Sequence, residues 1–169
     1  MTQYVGSADV VKKLVAIWRA STLDAAFQAY WTVAGDTAKN QVLNDTNAEG
    51  IAPYPYCIFE LAEHHVIGRM SGSANTKYEI REHPLTFTIH AKDDGDTKSG
   101  KEVAAELMAA VLAVFGGHPT TRNSVDGVTL DNGSVLISTF QSDFAKRESI
   151  ENWAWVIRYT IRVDVPVAV

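Results

Sequence analysis

The segment Trp153–Val165, WAWVIRYTIRVDV, alternates more regularly than any other part of the chain. Trp153, Trp155, Ile157, Tyr159, Ile161, Val163 and Val165 fall on one side, and Ala154, Val156, Arg158, Thr160, Arg162 and Asp164 on the other. Successive side chains of a strand point to opposite faces, so this pattern predicts a long β-strand with one wholly apolar face. Burying each large side chain there contributes about 1.5–3 kcal/mol, which places the strand in the core. Pro166 has no N–H to give to a ladder and is expected to end it. The rest of the sequence must supply this strand with sheet neighbours and a covering layer.

Three other stretches have strand character. Tyr56–Ala62 is rich in aromatic and β-branched residues. Thr76–Lys92 carries Tyr78 and Ile80 in one phase and Leu85, Phe87 and Ile89 in the other, with the slip near Pro84. A slip of phase predicts a bulge or bend, where a proline is admitted. Ser134–Phe144 sets Val135, Ile137 and Thr139 against Leu136, Ser138 and Phe140. Glu63–Asn75, with Gly68 and Gly72, reads as a hairpin connection, and Ala145–Asn152, AKRESIEN, as a charged link. Residues 118–133 form an excursion with turn signals at Asp126-Gly127 and Asn132-Gly133 and a short strand at Val128–Leu130. Ahead of the first strand stands IAPYPY. Its prolines hold the preceding residues extended and are expected to deliver the chain straight into the sheet. Tyr54 and Tyr56 are expected to pack their rings at the sheet end and keep their hydroxyls wet.

Helical spacing covers the remainder. Val10, Val11, Leu14, Ile17 and Trp18 form one stripe over residues 8–20. A shorter helix is predicted at 22–30, capped by Thr22, with Leu23, Ala26, Phe27 and Tyr30 sharing a face. Lys101–Phe115 places Val103, Leu107, Val111, Val114 and Phe115 on an apolar face among alanines; Gly116-Gly117 ends it and Pro119 prevents resumption. Residues 31–50 are rich in turn formers and read as a long connection with a short strand near Trp31–Val33. The order is helix, helix, strand, strand, helix, strand, strand. It predicts an α+β fold in one domain over residues 1–169: a mainly antiparallel sheet, helices on one face, an N-terminal helix and a long β-hairpin.

The chain has 169 residues, 46% of them apolar and 21% charged, with a net charge of −5. A nucleic-acid reader would present a basic face, which this balance argues against. No apolar run reaches the roughly 18 residues of a membrane span, so no membrane association is expected. The short apolar patch after Lys12-Lys13 is broken by Arg19 and does not read as a signal peptide. Cys57 is the one cysteine, which excludes a disulfide framework and a cysteine-based zinc site.

Residues that could carry chemistry do not converge. His64, His65, His83, His90 and His118 show no metal-binding spacing. Cys57 lies within a strand, where it reads as a small apolar residue. Asp93-Asp94-Asp96 sits in a polar turn and reads as solvated. No nucleophile elbow or phosphate loop is present, so neither an enzyme nor a cofactor is expected. The charges are more informative. Arg158, Arg162 and Asp164 occupy the polar side of the last strand, and Arg69, Lys77, Arg81 and Glu82 lie along the predicted hairpin. Each group is either a solvated surface or a contact with another subunit.

The chain resembles the tail terminator and tail-completion proteins of long-tailed bacteriophages, relatives of the lambda tail terminator. The features are ordered along the sequence: an N-terminal helix, then PYPYCIFEL, then a polar hairpin. REHPLTFTIHAKDDGDTKSGKEVAAELMAAVLAVF follows, and the chain ends on WAWVIRYTIRVDV. The excursion at 118–133 and the link at 145–152 are longer than the family pattern. The resemblance implies a structural virion protein, made in the host cytoplasm. It would form a homohexameric ring that caps the tail tube, stops its polymerisation and joins the head. The implied partners are further copies of the chain, the major tail tube protein and a head-completion or neck protein, with DNA passing through the ring unbound. The outer sheet face or the hairpin of residues 63–82 would meet the next subunit. Alternatives are another neck component, such as a head-closure or adaptor protein, and a small-ligand or enzymatic α+β domain.

Overall fold

A computed structural model describes residues 7–31, 42–45, 53–71, 76–93 and 97–168. Helices α1 (Ser7–Ala20) and α2 (Leu23–Gln28) come first, then strands β1 (Leu43–Asn44), β2 (Tyr56–Leu61), β3 (His65–Ser71) and β4 (Thr76–Lys92). Helix α3 (Gly100–Phe115) leads to β5 (Val135–Arg147) and β6 (Asn152–Ala168). The strands form one sheet in the order β1-β2-β4-β6-β5, with β3 also paired to β4. β1 runs parallel to β2, and the other pairs are antiparallel. The α+β architecture with a mainly antiparallel sheet is as expected.

β4 and β6 are its spine. They pair residue for residue from Thr76↔Ala168 to Lys92↔Asn152 with no break in register. At about 3.3 Å per residue, this ribbon is roughly 55 Å long. β6 therefore does not stop at Pro166, which pairs opposite Tyr78. Past Asp164, β5 no longer accompanies β6, so Pro166 lies where β6 is an edge and a missing N–H is tolerated. The expected charged link also shortens, because β5 continues as strand to Arg147.

β2 and β3 lie end to end along the other side of β4. β2 covers Leu85–His90 and β3 covers Lys77–Glu82. The predicted connection at 63–75 is thus in large part a strand, and the long hairpin has both arms zipped. The slip near Pro84 is not a bulge in β4. The irregularities are in the opposite arm, at the break after Leu61 and between Val66 and Gly68. Pro84 stands opposite that break. Its carbonyl accepts from Ala62 N at 2.8 Å, but it has no N–H to return. The buried His83 ring fills the vacancy, with Nδ1 3.3 Å from Ala62 O. A carbonyl can only accept, so Nδ1 carries the proton. The apparent change of phase reflects Ile80, which is buried on the face opposite to Leu85, Phe87 and Ile89.

The helices cover one face. Trp18 of α1 packs at 5.8 Å from Phe27, 5.6 Å from Phe87 and 6.2 Å from Phe115, joining α1, α2, β4 and α3 in one aromatic nucleus. Thr22 does not cap α2 with its side chain. Ser21 Oγ accepts from Leu23 N instead, and Asp24 accepts from Trp18 Nε1 at 2.7 Å, tying α2 to α1. α3 opens on a capping box of Ser99 and Glu102, and Asp93 Oδ1 accepts from Gly100 N at 2.5 Å. Asp93 is thus a helix-start acceptor; Asp94 and Asp96 lie outside the described residues. α3 buries Val103, Ala104, Leu107, Val111 and Phe115, with Val114 half-buried. Its end is closed by the sheet: Ser138 Oγ donates to Phe115 O and Tyr159 OH to Gly116 O, at 2.5 and 2.8 Å. Gly116 and Gly117 turn the chain away at φ +119° and +96°. A Cβ on Gly117 would stand 2.8 Å from Phe140 Cγ, so glycine is required there.

Other local expectations are corrected. Trp31 is not in a strand, and residues 32–33 lie outside the described ones. Val128–Leu130 contributes a single bridge, Thr129↔Val135. The excursion around it is part of the core, because Val125 and Leu130 are buried. The chain bends at Tyr54-Pro55, a cis peptide, instead of running straight into β2. Tyr56 is buried and stacks on His90 at 4.9 Å.

Candidate assembly surface

Register divides the seven charged candidates between two faces. Arg69, Lys77 and Arg81 are in phase with the helix-covered face, while Glu82, Arg158, Arg162 and Asp164 are in phase with the opposite one. Alternation within β4 and β6 makes this division for all but Arg69, whose phase the bulge in β3 reverses.

On the first face, Arg81 Nε donates to Glu79 Oε1 at 2.8 Å, and Arg69 Nη2 lies 3.6 Å from Glu79 Oε2. The Arg81 hydrogen bond, helped by the charge of Arg69, holds the Glu79 carboxyl below its usual range. Arg81 and Glu79 side chains are only 14% exposed, whereas Arg69 is 76% exposed. Arg81 is therefore an internal strut of the ribbon, and Arg69 and Lys77 remain at the surface.

On the second face no helix of the described residues lies over the sheet. Arg162 grips Asp164 with two bonds, at 2.6 and 3.0 Å, which raises the guanidinium pKa. Glu82 is the cross-strand partner of Arg162 and lies 3.6 Å from His65 Nε2. Arg158 lies over the Phe144 ring at 5.2 Å. One row across the sheet is largely apolar: Ile58, Thr88 and Val156 are half-buried and Phe144 is exposed.

Exposed apolar side chains add a signal that sequence reasoning missed. Among the described residues, Val66, Ile67, Met70 and Val167 are exposed large apolar groups, and all lie at one end of the ribbon. Phe144 and Ile150 are the others. The β3 trio went unread because Gly68 and the bulge break the alternation of HVIGRM.

A ligand reading finds less to work with. A groove of about 600 Å³ lies between α1, α2 and β1. Neither buried polar atom without a partner among the described residues, Ser134 Oγ or Asn152 Oδ1, lines it. Among those residues no group of His, Cys, Asp or Glu is placed to hold a metal ion. Burial pushes the Cys57 thiol far up, away from the reactive thiolate. His90 is engaged by Glu148 at 3.0 Å. No helix among the described residues is long and apolar enough to cross a membrane. In comparisons with known proteins, no family model and no curated sequence matches the chain.

Proposed function

We propose that the chain is a structural virion protein that caps a phage tail tube as a ring, ends its polymerisation and forms the joining surface to the head. The observation that carries this reading is the one-sided build of the sheet. Helices cover one face; over the other, which carries a partly apolar row, no helix of the described residues lies, and exposed apolar side chains gather at one ribbon end. Val66 and Val167 are in phase with the helix-covered face and Met70 with the other, so this end offers apolar groups on both sides, as a region that another protein covers would. The internally paired charges Arg162–Asp164 and Arg81–Glu79 are satisfied without a ligand. Net charge −5 suits a conduit that must not hold DNA.

The reading predicts a direct effect on tube growth. Purified chain added to polymerising tail tube protein from the same virion should arrest elongation and appear as extra density at one tube end in electron micrographs. Tubes that grow to the same lengths with bare ends would refute it. A neck component would instead leave tubes unaffected and bind the portal or adaptor ring.

A further inference from the structure

The sheet face without a helix of the described residues over it has its charges sorted by strand. Its carboxylates Glu60 and Glu82 stand on β2 and β4, on one side of the seam between β4 and β6. Its cations Arg158, Arg162 and Lys146 stand on β6 and β5, on the other side. Two groups depart from the division, and each is already paired: Asp164 is gripped by Arg162, and Lys92 lies 3.3 Å from Glu151 at the turn end. The apolar row crosses the same seam, from Ile58 on β2 to Phe144 on β5. Arg158 braces the Phe144 ring at 5.2 Å, so little freedom is lost when that ring is covered.

We propose that a second copy of the chain stacks the same face on this one, turned about a two-fold axis that runs along the β4–β6 seam between the two sheets. Stacked sheets lie about 10 Å apart with their strands within about 30° of each other. A two-fold along the strands leaves every height unchanged, and it lays β4 over the second copy's β6 and β2 over its β5. Register then fixes each neighbour. Glu82 faces Arg162 of the second copy, and Arg162 faces its Glu82, because the two are partners across the seam. Ile58 faces Phe144 and Thr88 faces Val156, so the apolar row meets itself. No charge on these rows faces one of its own sign.

The area suffices for a specific contact. From His90 to Ile80, four strands wide, each copy offers roughly 600 Å² at about 3.4 Å per residue and 4.8 Å per strand. The total of roughly 1,200 Å² reaches the lower end of specific interfaces. A two-fold across the strands fits less well. Placed to keep the apolar row on itself, it would carry the Glu82 and Arg162 row beyond the partner's turn end at Lys92 and Asn152. The stacked pair is isologous and closed. It goes beyond the ring reading and does not depend on it. Val66 and Val167 are in phase with the opposite face and stay outside the stack; ring contacts made there would join pairs into two stacked rings.

The symmetry permits a charge-swap test. Glu82→Arg and Arg162→Glu each set like charges opposite one another, so each variant alone should pair at least about tenfold more weakly than wild type in sedimentation equilibrium. Mixed, the two variants present opposite charges at both positions and should pair as one chain of each kind. Circular dichroism first checks that each variant folds; for one that does not, cross-linking decides. Ile58→Cys and Phe144→Cys chains, otherwise wild type, should be joined one to the other by a short bis-maleimide, and buried Cys57 does not compete. Folded single variants that pair like wild type, or a folded mixture that stays unpaired, would overturn the stacking. Cross-linked Ile58→Cys homodimers would overturn it in favour of the crossed arrangement, and a wild-type chain that sediments as a monomer would leave no pair to explain. The tube-elongation assay reads the ring proposal separately, so either can fail alone.

Discussion

Replacing His83 tests the account of the broken hairpin arm. Pro84 leaves Ala62 O without its ladder donor, and His83 Nδ1 takes that place at 3.3 Å. His83→Leu removes the donor at a ring that is 2% exposed; Ala62 itself is exposed, so water can take up its carbonyl and the loss should be the net worth of one hydrogen bond, about 0.5–1.5 kcal/mol. Acid should act through the same group. Burial lowers the His83 pKa, and the neighbouring His64, Arg81 and His65 charges lower it further, while the bond to Ala62 works the other way. The unfolded imidazole titrates near 6.5, so between that pH and the lower native value the unfolded chain binds the extra proton. The stability contributed by neutral His83 is thus fully present above the unfolded pKa and is lost as pH falls through the native one. The slope is at most about 1.4 kcal/mol per pH unit. Urea unfolding followed by circular dichroism, near pH 7.5 and near pH 5.5, separates these effects. His83→Gln keeps an amide donor but cannot titrate, and the other histidines are common to both chains. Its stability deficit relative to wild type should shrink toward acid. Parallel wild-type and His83→Gln curves would refute the reasoning, as would a His83→Leu chain as stable as wild type at the higher pH.

Other substitutions probe the joint between α3 and the sheet. Tyr159→Phe deletes the bond to Gly116 O and should cost about 1–2 kcal/mol in chemical denaturation. Gly117→Ala combines φ +96° with a contact at 2.8 Å to Phe140 and should cost at least about 2 kcal/mol. Gly127→Ala, at φ +83° with nothing within 4 Å, should lower the melting temperature less. Ser99→Ala removes half of the capping box and should cost about 1 kcal/mol.

The parts that could be read from sequence were those with an uninterrupted period. β6 and α3 were legible because alternation in WAWVIRYTIRVDV and the 3.6-residue spacing from Val103 to Phe115 arise directly from burial. β3 was hidden because a bulge and Gly68 destroy the period of two, and β1 because two parallel residues carry no pattern. The slip at Pro84 was visible, but sequence cannot distinguish a bulge from a change in which face is buried. Ile80, buried on the face opposite to Leu85, is that change. For the candidate surface, the residues of one strand, Arg158, Arg162 and Asp164, stayed together. Lys77 and Arg81 part from Glu82 by alternation within β4, and Arg69 joins them only because of the bulge in β3. Ile150 was invisible within AKRESIEN, whose order comes from Arg147 folding back onto the turn carbonyls.

Self-assembly is the claim on which the functional reading depends, and electron microscopy of the purified chain, supported by native mass spectrometry, tests it most directly. The account predicts closed rings of one stoichiometry with a central hole wide enough for duplex DNA. Discrete monomers, both alone and after incubation with tail tubes, would contradict it.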